Sequence, residues 1–303
     1  MKMKNVCVSL ALVFGAAGAC CGVWMERGGF EADTGFAVAG HPSFWVAGAL
    51  AAALFLLALV WCRFCSGRKK SFHEAFGPSG RVGQVCQAAA VVLMAGAGAA
   101  ELFAFAGSGQ ATLLVDGLLS LFVAGAFGVL MGGHGRRAFT DSQSFYALVP
   151  VFWACYRFML TFKDNAANPV LLQFIVPLFA GLFIMLSFYR YAALFYRRRD
   201  GVMLNLFSSM AVYFSLLWAG ASVQCLSVGK LTLPNGAVAL GMLASALYLL
   251  GVMICLGNAP APAIGRAAAT AAEEMAELDD LPGGILPEAE ETPESGEEPD
   301  NGR

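Results

Sequence analysis

Two carboxylates flank a short turn in an otherwise apolar stretch of this sequence. In ELFAFAGSGQATLLVD, residues 101–116, Glu101 and Asp116 lie at similar distances from the GSGQ segment. If GSGQ joins two membrane-spanning helices, each carboxylate lies about five residues, or ~7–8 Å, below the same membrane surface. Two acids at one depth can hold a proton or a cation between them, because neighbouring carboxylates resist ionising together.

Two more polar side chains are predicted at this level. Arg157, in PVFWACYRFMLTF, and Gln173, in NPVLLQFIVPLFAG, each lie within about five residues of the same end of an apolar segment. Charged residues inside spans are rare and usually pair within the bundle. Arg157 is therefore the expected partner of either carboxylate, unless it extends towards the membrane surface. Pro177 is expected to interrupt its helix and to free the carbonyl of Gln173.

The elements that must position these residues are membrane-spanning helices. The 303 residues are 58% hydrophobic and only 13% charged, whereas soluble domains carry about 25% charged residues. About 20 apolar residues cross a bilayer. The sequence predicts an all-α, polytopic transmembrane helix bundle of about eight spans, at 5–25, 43–64, 84–106, 111–131, 143–162, 169–190, 203–225 and 236–257.

Small and polar residues indicate which faces of the third and fourth spans meet protein. A ridge at every fourth residue allows a neighbouring helix to approach closely. In the fourth span this ridge comprises Thr112, Asp116, Ser120, Ala124, Gly128 and Gly132. The third span has a similar stripe of Gln87, Ala90, Ala97, Gly98 and Glu101. Both carboxylates are therefore predicted to face protein rather than lipid.

The charge distribution predicts the topology. Basic residues collect in alternate connections, which places both termini in the cytoplasm of a multi-pass cell-membrane protein by the positive-inside rule. The first segment could instead be a signal peptide, but its length favours a retained helix. Residues 258–303 carry 2 basic and 12 acidic residues. They are predicted to form a largely disordered cytosolic tail, either simply solvated or docking a cytosolic protein partner.

Motifs for catalysis and metal binding are not found. The sequence has no HExxH, GxSxG or P-loop motif. It has one CxxC, at residues 62–65, but no second CxxC with which it could form a zinc site. His41, His73 and His134 are expected at loops or helix ends, and GGHGRR, residues 132–137, is interpreted as a tight turn. No catalytic residue, metal, cofactor or nucleic-acid partner is predicted, and an enzyme is disfavoured.

The longest predicted outer loop, residues 24–44, carries a resemblance. Its pattern is Trp24, then FEADTG at 30–35 and GHP at 40–42. It resembles the loop after the first span of uncharacterised polytopic membrane proteins of anaerobic Gram-positive bacteria, which implies a similar topology but no activity.

Two functional classes fit the polar cluster. The first is a permease-like or solute- or ion-binding protein, in which Glu101, Asp116, Arg157 and Gln173 form an outward-facing site for a small solute or cation. The second is a non-catalytic membrane sensor or assembly subunit, in which the same charges are structural.

Overall fold

The described part of the chain folds into eight long helices. The computed structural model describes residues 6–31, 36–65, 80–136, 141–165, 172–195 and 201–257. The long helices are α1 (Val6–Gly28), α2 (Pro42–Cys65), α3 (Arg81–Ser108), α4 (Ala111–Arg136), α5 (Val149–Asn165), α6 (Ile175–Phe195), α7 (Gly201–Ser227) and α8 (Leu233–Gly257). Within the described residues, seven helices are long and apolar enough to cross a membrane. The predicted all-α transmembrane bundle is confirmed, whereas the predicted tail, 258–303, lies outside the described residues.

The fifth segment begins later than the sequence predicts. In place of one helix over 143–162, the chain forms a short helix, Asp141–Tyr146, and then α5, which has 17 residues. The predicted start at 169 lies outside the described residues, and a 3-10 helix, Leu172–Phe174, precedes α6. Pro177 is therefore in the first turn of α6, and the prediction that it interrupts this helix is wrong. A proline is tolerated there because first-turn N–H groups have no partner within the helix.

Helices α3 to α8 close a ring. Each packs against the next in chain order, and α8 returns to pack against α3, while α1 and α2 lie outside the ring on α7. Stacked aromatic rings fill the centre. The ring centroid of Phe127 lies 4.1 Å from that of Tyr248 and 5.5 Å from that of Phe188. This apolar core separates two buried polar clusters near opposite ends of α4.

Glycine allows the closest helix contacts. A Cβ atom at Gly22 would lie 2.1 Å from the carbonyl oxygen of Leu217, and one at Gly220 would lie 2.1 Å from that of Ala19. Substituting either glycine would therefore push α1 and α7 apart. The α3–α4 pair is joined in the same way, since a Cβ at Gly98 would lie 2.9 Å from the carbonyl oxygen of Gly117.

The buried stripe of α4 follows the predicted ridge only at its start. Asp116, Ser120 and Ala124 are buried, but nothing in the described chain lies within 4 Å of a Cβ built at Gly128 or Gly132. The ridge prediction is wrong for these two glycines. A strict four-residue repeat drifts by about 40° per step around a helix of 3.6 residues per turn. The core-facing stripe therefore passes instead to Val123, Phe127, Leu130 and His134.

Candidate functional site

A tight turn positions the two carboxylates. Gly109 ends α3 with φ of 68°, a left-handed conformation that favours glycine, and its N–H donates to the carbonyl oxygen of Phe105 at 2.7 Å. Since α4 begins two residues later, the two helices run antiparallel with their glycines in contact. Glu101 and Asp116 therefore lie side by side at one level.

Glu101, Asp116 and Arg157 form a buried cluster, called here the acid–arginine cluster. Arg157 Nη1 donates to Asp116 Oδ2 in the one salt bridge found among the described residues. The carboxyl groups of Glu101 and Asp116 lie close enough for their charges to influence each other. Glu101 is 2% exposed and Asp116 0%, while the Arg157 side chain is 12% exposed. Two buried acids thus lie beside a single guanidinium, which pairs with Asp116.

Two residues that the sequence did not predict for the site complete its hydrogen bonds. Ser120 Oγ donates to Glu101 Oε2 at 3.3 Å and accepts the indole N–H of Trp153 at 3.0 Å. Both side chains are buried. The only available signal was spacing, since Ser120 lies one turn after Asp116 and Trp153 one turn before Arg157, on the same helix faces.

The fourth predicted site residue, Gln173, lies beside the acid–arginine cluster rather than in it. It lines a cavity of about 330 Å³ together with Arg157, Trp218 and Asn235. A second cavity of about 440 Å³ is also lined by Gln173, Trp218 and Asn235, and it extends to Arg27 at the end of α1. Because the two cavities share these walls, we treat them as one feature and call it the vestibule. Arg157 thus contacts both the buried acids and the vestibule.

The vestibule is lined by polar groups from several helices. Trp218 Nε1 and Arg157 Nε are buried and have no hydrogen-bond partner among the described residues. The charged side chains of the second cavity are Glu26, Arg27, Glu31 and Lys230. Arg27 Nε donates to the side-chain oxygen of Gln224 at 3.0 Å. A solute entering here would meet unused N–H donors next to the acid–arginine cluster.

A second buried polar cluster lies at the other end of α4. His134 lies in the last turn of α4, at a helix end as predicted, but the interpretation of GGHGRR as a tight turn is wrong for residues 132–136, because α4 continues to Arg136. His134 is 3% exposed, and its Nε2 lies 2.8 Å from the hydroxyl oxygen of Tyr191. This hydrogen bond allows the imidazole to be buried. Among the described residues, no three His, Cys, Asp or Glu side chains group as a metal site.

The loop that carries the family resemblance is only partly described. Glu31 N–H donates to the Phe36 carbonyl oxygen at 2.9 Å, and Phe30 pairs with Ala37 in an isolated bridge. The rings of Trp24 and His41 meet edge to face, 5.7 Å apart. Residues 32–35, the centre of the motif, lie outside the described residues. No protein-family model, curated protein or solved structure matches the chain, so the resemblance remains a prediction.

Proposed function

We propose that this integral membrane protein is permease-like, binding a small solute in the vestibule and a proton or cation at the acid–arginine cluster. The observation that carries the proposal is that two buried carboxylates lie beside one guanidinium, which pairs with Asp116 and also lines the vestibule. One negative charge is left in excess. A buried charge without a partner is strongly unfavourable, so a proton or a cation must balance it.

Arg157 links the two parts of the proposed site. A solute that contacts its guanidinium from the vestibule changes how strongly it holds Asp116. Uptake of a proton by Asp116 in turn weakens its bond to the guanidinium, which is then more available to the solute. Each ligand therefore changes the affinity for the other by the same factor. If the topology follows the positive-inside prediction, the vestibule opens to the outside of the cell.

The burial of the acids favours a second candidate function. Glu101 and Asp116 are enclosed by protein, and Ser120 hydrogen-bonds to Glu101. Charges held in this way suit a structural ion pair in a membrane sensor or assembly subunit. In that case a cytosolic protein would dock on residues 258–303, and a pull-down with this segment would recover it.

Thiol labelling separates the two candidates. Single cysteines replace Arg157, Gln173 or Asn235 in a background lacking the nine native cysteines, and a membrane-impermeant reagent is added from outside. Ala180→Cys, at a fully buried position of α6, is the matched control. We expect labelling at the three vestibule positions and protection at Ala180. Protection at Gln173 and Asn235 in folded protein would rule out an outward-facing vestibule.

Flux measurements test the role of the acids. We expect Glu101→Gln combined with Asp116→Asn to abolish proton- or cation-coupled solute uptake, because no ionisable carboxylate then remains in the cluster. Unchanged stability together with unchanged solute fluxes would show that the acids have no part in transport.

A further inference from the structure

We propose that the solute of the vestibule is a small carboxylate anion and that it binds together with a proton. This inference rests on the proposed function and specifies its substrate class. It follows from the kind of polar group left unused in the wall and from the charge balance of the acid–arginine cluster.

The unused buried groups of the vestibule are hydrogen-bond donors. Among the described residues that line it, the buried side-chain atoms without a partner are Trp218 Nε1 and Arg157 Nε. An indole N–H can only donate, and so can a guanidinium. A ligand that satisfies both must present acceptor oxygens, and a carboxylate presents two that match the planar guanidinium.

The neighbouring groups suit a small polar molecule. Side-chain amides of Gln173 and Asn235 line both cavities together with Trp218, and each can donate or accept. The cavity of about 330 Å³ that includes Arg157 is at the lower end of ligand-pocket volumes. Phe174 and Pro177 add apolar wall for a short carbon chain.

Charge balance requires the proton. The titratable and charged groups near the guanidinium are Glu101 on α3, Asp116 on α4, and Tyr156 and Asp164 on α5. The first cavity's described walls on α6, α7 and α8 carry no charge. With Asp164 counted, a carboxylate ligand in the first cavity would thus be a fourth anion beside the single cation Arg157. Protonation of the acid pair removes one negative charge next to the guanidinium, and a proton on Asp116 also weakens its bond to Arg157, so the anion binds more tightly as pH falls.

A bound cation is the competing occupant. Asp116 Oδ1 is a buried acceptor without a hydrogen-bond partner among the described residues. Asp116 does not line the vestibule, however, and its carboxyl group lies close to that of Glu101. A proton between the two acids satisfies this oxygen without a path for a hydrated ion.

Ligand-induced thermal stabilisation of the purified full-length protein tests the proposal. The probes are acetate, lactate and succinate, each compared with its uncharged amide, at pH 5.5 and pH 7.5. We expect at least one carboxylate to raise Tm while its amide does not. For coupling to one proton, its Kd falls by up to about tenfold, or ~1.4 kcal/mol, per pH unit lowered. A pH indicator in weak buffer should report proton uptake on binding.

Variants assign the effect to the vestibule. Trp218→Phe keeps the ring but removes the donor, and we expect it to weaken carboxylate binding about tenfold. Trp45→Phe, at a side chain that is 75% exposed, is the matched control and should leave binding unchanged. Glu101→Gln leaves the salt bridge between Arg157 and Asp116 in place and should reduce the pH dependence of carboxylate binding.

Three results would overturn the proposal: equal stabilisation by the amides, stabilisation by none of the carboxylates, or carboxylate binding that does not change with pH. If the vestibule cysteines still react from outside, either of the first two results rejects the carboxylate class and the third rejects its coupling to a proton, while the proposed function stays in place. If they do not react, the proposed function itself fails.

Discussion

Substituting the three members of the acid–arginine cluster should change the free energy of unfolding by unequal amounts. Replacing Arg157 with methionine leaves two buried carboxylates without a cation. Breaking a buried pair by removing one partner costs about 3–5 kcal/mol. Glu101→Gln has the opposite character, because it removes the surplus negative charge and leaves the salt bridge between Arg157 and Asp116. Its amide oxygen can still accept from Ser120, so we expect a change below ~1 kcal/mol.

The loss of unfolding free energy in Asp116→Asn should lie between those of Glu101→Gln and Arg157→Met. It removes the salt-bridge acceptor, but Glu101 is adjacent and can take over part of the contact with Arg157. We expect a loss of ~1–3 kcal/mol. Combining Arg157→Met with Asp116→Leu should recover most of the stability lost in Arg157→Met, because apolar residues often replace a buried ion pair without loss.

The assay is the free energy of unfolding in bicelles, measured for the wild type, the three single variants and the double variant. The diagnostic result is the order, with Glu101→Gln mildest and Arg157→Met most severe. If Glu101→Gln destabilised the protein as much as Arg157→Met, Glu101 would be the required ionised partner. The inference that the cluster holds one surplus acid would then be wrong.

Three further substitutions test the packing. Tyr191→Phe should cost ~1–3 kcal/mol, because buried His134 loses the hydroxyl at 2.8 Å; an unchanged unfolding free energy would mean that the imidazole has another sufficient partner. Gly220→Ala should cost ~1–3 kcal/mol by forcing α7 from α1, whereas the matched Gly125→Ala, with open space around it, should change stability by less than ~1 kcal/mol. Ser120→Ala leaves the buried indole N–H of α5 without its acceptor, so thermal unfolding should show a loss of ~1–3 kcal/mol.

The shared depth of Glu101, Asp116 and Arg157 could be predicted from the sequence, because helix geometry determines it. A short turn with a glycine at its centre makes the two flanking helices antiparallel, so residues equidistant from the turn share a depth. An arginine inside a membrane span usually pairs with a nearby acidic residue. These arguments use only the rise per residue and the cost of burying charge, and neither depends on the exact order of helices in the bundle.

The position of Gln173 and the burial of His134 could not be predicted from the sequence, because each depends on where a helix begins or ends. Pro177 fits both the interior of a kinked helix and the first turn of a later one, and only packing decides between them. GGHGRR has turn-like composition, yet the hydroxyl of Tyr191, contributed by α6, stabilises His134 inside a continued helix. A partner so distant in sequence leaves no local signal. The walls of the vestibule have the same origin, since Trp218 and Asn235 come from α7 and α8.

The polar contacts of the acid–arginine cluster identify the helix through which charge and solute would be coupled. Arg157 to Asp116 and Trp153 to Ser120 are both bonds from α5 to α4. α5 is the shortest of the eight long helices described. It is not among the seven that are long and apolar enough to cross a membrane. Protonation of Asp116 weakens the first bond directly, and a carboxylate at Arg157 competes for the same guanidinium. Under the proposed function, both ligands would therefore act on the contact between α4 and α5, whereas α7 and α8 are the most buried of the apolar spans.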